Sequence, residues 1–157
     1  MSRVYRLVRQ QFIPASIERV WAYFATPANL NAMTPPDLDF EIVSGGESPM
    51  YEGQLIEYRV RFMPLVRSLW LTEIVHVVEK HSFVDEQRLG PYRFWYHEHL
   101  FEPVEGGVQM TDRVTYALPF GLLGDWVHAL WVRRKLEHIF DFRRKKVAEI
   151  FGYTAAD

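Results

Sequence analysis

The chain has 157 residues, of which 48% are hydrophobic, 15% aromatic and 24% charged, with a formal net charge of −2. That length suits one domain, residues 1–157, around one substantial core. The charge balance and the lack of a long basic run exclude a nucleic-acid partner, and the absence of cysteine excludes a disulfide framework, a thiolate nucleophile and a Cys-ligated zinc site.

Residues 3–13 read as a first strand, with Val4, Leu7, Val8, Phe12 and Ile13 among polar residues. The apolar spacing slips at Gln10-Gln11, which predicts a bulge. Charges recur every few residues here, so no signal-peptide core is present. No stretch approaches the ~20 apolar residues that span a bilayer, and a cytoplasmic location is expected. Ser16 is a favourable helix N-cap with Glu18 in the first turn. Ile17, Val20, Trp21 and Phe24 follow at helical spacing. Thr26-Pro27 ends that helix and starts a second short one carrying Leu30 and Met33, which stops before Pro35-Pro36.

From Leu38 the period changes to two. Phe40–Val43 is a strand and Ser44-Gly45-Gly46 is turn material. Residues 53–62 alternate, with Ile56, Tyr58, Val60 and Phe62 opposite Glu57, Arg59 and Arg61. Pro64 interrupts. Residues 68–79 form a long strand, with Trp70, Thr72, Ile74 and His76 on one side, and residues 82–88 form a shorter one before Gly90-Pro91. Residues 93–101 and 108–116 then make a hairpin, giving about seven strands, six of them consecutive. From Leu122 to about Phe151 the pattern is helical, with Val132, Leu136, Ile139, Phe140, Val147 and Ile150 as its apolar stripe. A bend is expected at Gly124-Asp125, with Asp125 as a second cap. Arg133, Arg134, Lys135, Arg143, Arg144, Lys145 and Lys146 are read as a basic outer face. The order predicts an α+β fold: a curved antiparallel sheet, two short helices after strand 1, and a long C-terminal helix over the sheet.

The hairpin carries the chemistry. Residues two apart on a strand share a face, so Trp95, His97, His99 and Phe101 line up, as do Met110, Asp112, Val114 and Tyr116. Buried polar groups need partners; a solid core would not choose two imidazoles and a carboxylate, whereas a binding cavity would. His97, His99 and Asp112 are the candidates for polar contact with a ligand, for acid–base catalysis, or for an inert internal network. Asp85 and Gln87 extend that wall if their face of the shorter strand is inward, but Val84 is the alternative inward residue. Tyr58, Trp70, Thr72, Trp95 and Tyr116 supply the rest of the expected ligand-binding surface. A His-x-His pair plus Asp has the ligand types for zinc, yet no third histidine lies nearby, so no metal is expected.

The chain resembles the START-like, or SRPBCC, superfamily in its polyketide cyclase/dehydrase branch, and a bacterial ligand-binding subgroup within it. The resemblance rests on Phe12-Ile13-Pro14-Ala15-Ser16 with Val20-Trp21, on Trp70-Leu71-Thr72-Glu73-Ile74, and on Phe83-Val84-Asp85-Glu86-Gln87 with Gly90-Pro91-Tyr92. It continues in Trp95-Tyr96-His97-Glu98-His99, in Met110–Tyr116 with Pro119-Phe120-Gly121, and in the long terminal helix. It implies the helix-grip fold over essentially the whole chain. Its members include lipid carriers, hormone receptors, polyketide aromatases, quinone-binding proteins and chaperone activators. Fold does not fix function, and no shared catalytic motif exists to carry over.

The leading expectation is therefore a module that holds a hydrophobic small molecule, lipid-, polyketide- or isoprenoid-like, between sheet and helix. The rivals are a cyclase, aromatase or dehydratase using the His/Asp cluster, and a protein- or membrane-interaction module with a filled interior. Leu122–Trp131 is apolar over a wide arc and is expected to be buried; its two tryptophans and Arg133-Arg134-Lys135 would also suit a membrane surface. There is no Gly-rich phosphate loop, nucleophile elbow, His-Glu-x-x-His or EF-hand loop, and no cofactor is expected. The chain is expected to be a monomer or weak homodimer.

Overall fold

The computed structural model describes residues 3–152. It runs β1 (Val4–Ile13), α1 (Ile17–Phe24), β2 (Glu41–Ser44), β3 (Leu55–Met63), β4 (Val66–Val78), β5 (Ser82–Leu89), β6 (Phe94–Val104), β7 (Gly107–Ala117), α2 (Gly121–Val127) and α3 (Arg133–Phe151). The seven strands form one antiparallel sheet in the order β1-β7-β6-β5-β4-β3-β2. Consecutive hairpins build β2 to β7, and β1 returns to the far side of β7. The concave face holds α1 and α3, so the sheet wraps the long helix in the helix-grip arrangement. Ser16 caps α1 through its side-chain oxygen, which accepts from Arg19 N at 3.3 Å, and Trp21 packs edge-on against Phe83 and Phe101.

Several local features differ from the sequence expectation. No bulge occurs at Gln10-Gln11: β1 pairs with β7 without a shift from Val4↔Ala117 to Ile13↔Val108. Instead Val4, Arg6, Val8 and Gln10 form the exposed row, and the inward positions Arg9 and Gln11 sit at the sheet's edge, where Gln11 Nε2 donates to the Arg144 carbonyl of α3. The second short helix is two 3-10 turns, Pro27–Leu30 and Pro36–Leu38, and Pro36 starts the latter rather than bounding the former. Proline's fixed φ suits a first helical position, so Pro35-Pro36 acts as a restart.

The break at Gly124-Asp125 is absent too. A wider, π-helical turn, His128–Val132, joins α2 to α3, while Asp125 accepts a 2.6 Å hydrogen bond from the Tyr5 hydroxyl. His76 leaves the row of Trp70, Thr72 and Ile74. It has φ 53° at a register shift between Val75 and Val78, and the Glu52 carboxylate accepts from both His76 N and Val77 N. That bulge turns the imidazole to solvent and swings Val77 towards the core.

The largest correction concerns the start of the C-terminal helical segment. Leu122 is 79% exposed and Trp126 68%, with Leu123, Val127 and Leu130 also exposed. These side chains lie largely in solvent, whereas Trp131 at the end of the same arc is half-buried and packs on the core with Val132, Leu136 and Phe140. Among the described residues no helix is long and apolar enough to cross a membrane.

Candidate functional site

Between α3, the two 3-10 turns and strands β3 to β6 lies a cavity. It opens to solvent, and the volume open to the centre of a water-sized sphere is about 150 Å³. Phe24, Leu30, Met33, Phe62, Trp70 and Leu136 are among its apolar walls, and Asp85, His97, His99 and Arg143 gather as its polar part. Beside the cavity wall at Leu38, Asp37 of the Pro36–Leu38 turn accepts from α3 twice, from Lys135 Nζ at 2.6 Å and His138 Nε2 at 3.1 Å.

Strand register assembles the polar cluster. Asp85 stands directly opposite His97, and His99 directly opposite Asp112. The short bonds run on the diagonals: His97 Nε2 to Asp112 Oδ1 and His99 Nε2 to Asp85 Oδ2, each 2.7 Å. His97 Nδ1 also lies 3.1 Å from Asp85 Oδ2, and His99 Nδ1 3.3 Å from Asp112 Oδ1 without hydrogen-bond geometry. Trp95 Nε1 donates to the second Asp85 oxygen at 3.1 Å. His97 and His99 are only 5% and 3% exposed. Phe83 stacks on the His99 ring with centroids 4.2 Å apart.

The charges compensate one another. Burial disfavours ionised Asp112, but Arg143, whose guanidinium lies 3.4 Å away, together with His97 and His99 holds the carboxyl well below its usual range. Burial likewise opposes ionisation of Asp85, and His97 and His99 outweigh it, so Asp85 is also strongly lowered. For His97, burial pulls the pKa down, yet attraction to Asp85 and the hydrogen bond to Asp112 raise it to about 8. Burial, with Asp85 nearby, raises the Tyr58 phenol.

The expected ligand-binding residues divide. Tyr58, Trp70, Trp95, His97, His99 and Asp85 line the cavity; Asp85, half-buried, is the inward residue although Val84, on the opposite side of the strand, is the more buried of the two. Asp112 stands behind the two imidazoles, outside the lining. Thr72 is buried with its hydroxyl donating to the Glu86 carbonyl. Gln87 is committed to the Gly90-Pro91 turn, where its amide bonds both Tyr92 N and Tyr92 O. A register shift between Leu71 and Thr72 in the β4–β5 pairing accompanies that turn. Tyr116 packs between Tyr5 and Tyr92, away from the cavity.

Arg143 is the residue that sequence reasoning misplaced. Assigned to the basic outer face, it is buried, touches Asp112 and lines the cavity, and its Nε has no hydrogen-bond partner among the described residues. The signal was available: 136, 140, 143 and 147 follow helical i, i+4, i+7 spacing, which places Arg143 inside the apolar stripe.

A family model described as "Polyketide cyclase / dehydrase and lipid transport" matches residues 5–151. Solved structures of similar shape include the protein CV1439 from Chromobacterium violaceum, 12% identical with a TM-score of 0.71 over 96% of this chain and 99% of that one. TTHA0849 from Thermus thermophilus is 18% identical with a TM-score of 0.63 over 93% and 99%. Ara h 8.0201 is 18% identical with a TM-score of 0.64 over 94% and 99%. At these identities the likeness concerns the fold alone. No curated protein matches the sequence.

Proposed function

The chain belongs to the polyketide cyclase / dehydrase and lipid transport family, and from that premise we propose that it binds a hydrophobic small molecule, lipid-, polyketide- or isoprenoid-like, in the cavity beneath α3. The observation that carries this reading is the division of the cavity wall into a large apolar part and one polar cluster. An apolar guest enters such a space to escape water. A polar end on that guest meets Asp85, His97, His99 and Arg143, and the unpartnered Arg143 Nε favours an oxygen acceptor there, such as a carboxylate or an enolic oxygen.

Native mass spectrometry of freshly purified protein, followed by titration with a fluorescent polyene fatty acid, tests the proposal. One guest per chain is expected. Ile139→Trp, which places a larger side chain in the α3 wall of the cavity, should abolish binding, and Arg143→Met should weaken it about tenfold or more. Affinity unchanged in both variants would refute the assignment of this cavity.

A further inference from the structure

We propose that Asp85, His97 and His99 form a site for one divalent first-row transition ion, zinc or a close relative, opening on the cavity. The inference stands on the cluster's geometry and does not require that a hydrophobic guest be bound.

One potential ligand atom from each of the three residues lies within 4.8 Å of the others. His97 Nδ1 and His99 Nε2 face the same Asp85 oxygen at 3.1 and 2.7 Å. An ion bound at ~2.0–2.2 Å to nitrogen and carboxylate ligands separates adjacent ligand atoms by about 3 Å or slightly more, the scale of these two His–Asp85 separations. Two imidazoles and one carboxylate suit zinc, iron, cobalt or nickel, whereas calcium and magnesium prefer oxygen alone. All three residues line the cavity, so the remaining coordination positions point into it and stay open to water or to an oxygen of a guest.

The surroundings provide what histidine ligands require behind the ion. A ligating imidazole donates its other N–H to a carboxylate or carbonyl, which fixes tautomer and ring direction. Here one carboxylate, Asp112, lies behind both rings, 2.7 Å from His97 Nε2 and 3.3 Å from His99 Nδ1, and Arg143 offsets its charge.

His99 shows why the ion-free arrangement is incomplete. With its Nε2 bonded to Asp85, its buried Nδ1 finds no hydrogen-bond partner among the described residues, lying 3.3 Å from Asp112 Oδ1 but out of line with it. If an ion takes the Nε2 lone pair, the proton moves to Nδ1 and can be donated to Asp112, which completes the bonding of that ring. Sequence spacing alone supplies only the His-x-His half of this set; Asp85 comes from the adjacent strand through the register that places it opposite His97.

The test is a titration of chelator-treated full-length protein with zinc chloride by calorimetry, and with cobalt(II) by electronic absorption. One ion per chain is expected, with a cobalt spectrum characteristic of nitrogen and oxygen ligands. Asp85→Asn and His97→Gln, both close in shape, should each weaken binding about a hundredfold or more, and Asp112→Asn about ten- to a hundredfold. His81→Ala, in the exposed turn between β4 and β5, should leave it unchanged. Absence of stoichiometric binding to the wild-type protein would overturn the proposal, as would affinity preserved in both Asp85→Asn and His97→Gln. Because the wild-type titration decides by itself, a variant that fails to fold does not rescue the idea. Fatty-acid titration of the same ion-free sample separates this outcome from that of the cavity proposal.

Discussion

The rings of His97 and His99 lie with centroids 3.8 Å apart, tilted 32° to each other, and the same two carboxylates, Asp85 and Asp112, contact both rings. Side chains from β5, β6 and β7 are thereby joined across the concave face by bonds that run diagonally to the backbone ladder. In these buried surroundings each bond matters more than it would at the surface, since any group left without its partner keeps the whole cost of desolvation.

Asp112 is the member whose loss should be felt most in stability. Asp112→Ala removes the acceptor of His97 Nε2 and the anion facing Arg143. Breaking a buried ion pair from one side costs about 3–5 kcal/mol. Asp112→Asn retains an acceptor oxygen and should cost less. Equilibrium urea unfolding reads both values; a loss below about 1 kcal/mol for the alanine variant would show that the network does not depend on this carboxylate.

The exposed start of the C-terminal helical segment predicts the opposite behaviour. Leu122 and Trp126 have most of their surface in water, so the double variant Leu122→Ser, Trp126→Ser should unfold within about 0.5 kcal/mol per site of the wild type. Had these side chains been core, each would cost several times more. Thermal and urea unfolding distinguish the two cases.

The clasp between the Pro36–Leu38 turn and α3 should be sensitive to acid. The hydrogen bond from Lys135, assisted by His138 and opposed by partial burial, holds the Asp37 carboxyl below its usual range. A carboxyl lowered in the folded state stabilises above its unfolded pKa and loses that contribution as pH falls through the folded value. Asp37 should therefore keep its two ties to α3 at neutral pH and release them in acid below the ordinary carboxylate range. Stopped-flow release of a bound fatty acid should accelerate as pH falls through this window. Asp37→Asn should show the faster release at neutral pH and a flatter profile; equal pH profiles in the two proteins would exclude a gating role for the clasp.

Gly107 sets the closest backbone approach at the end of the β1–β7 ladder. A Cβ there would lie 2.1 Å from the Ile13 carbonyl oxygen, so Gly107→Ala must push β1 away from β7. Such overpacking costs about 1–3 kcal/mol, and a chain of this size loses about 2–4 °C of melting temperature per kcal/mol. A scanning calorimetry trace unchanged by the substitution would show that the edge yields freely.

Much of the fold was legible because it is written in local periods. Alternation marks the strands from β3 to β7, and the residues from Val132 onwards repeat at helical spacing, so element type and order follow from short-range pattern. The shared face of His97 and His99 is equally local, being a property of any strand. The choice between Asp85 and Val84 is different in kind. Val84 is buried and Asp85 half-buried, and only the curvature of the whole sheet decides which of the two looks into the cavity. Arg143 could have been recovered from its place in the apolar stripe, but composition drew it towards the charged face.

What the amino-acid order determined by itself, then, is which residues travel together on a strand or helix face. What tertiary structure alone decided is which face found a partner. Leu122 and Trp126 belong to an apolar arc yet lie largely in solvent, whereas the polar pair His97 and His99 is buried among carboxylates contributed by two other strands. The physical reason is that periodicity follows from the geometry of a single element. Burial and charge pairing are sums over groups distant in sequence, and they take their values only when the sheet closes around α3.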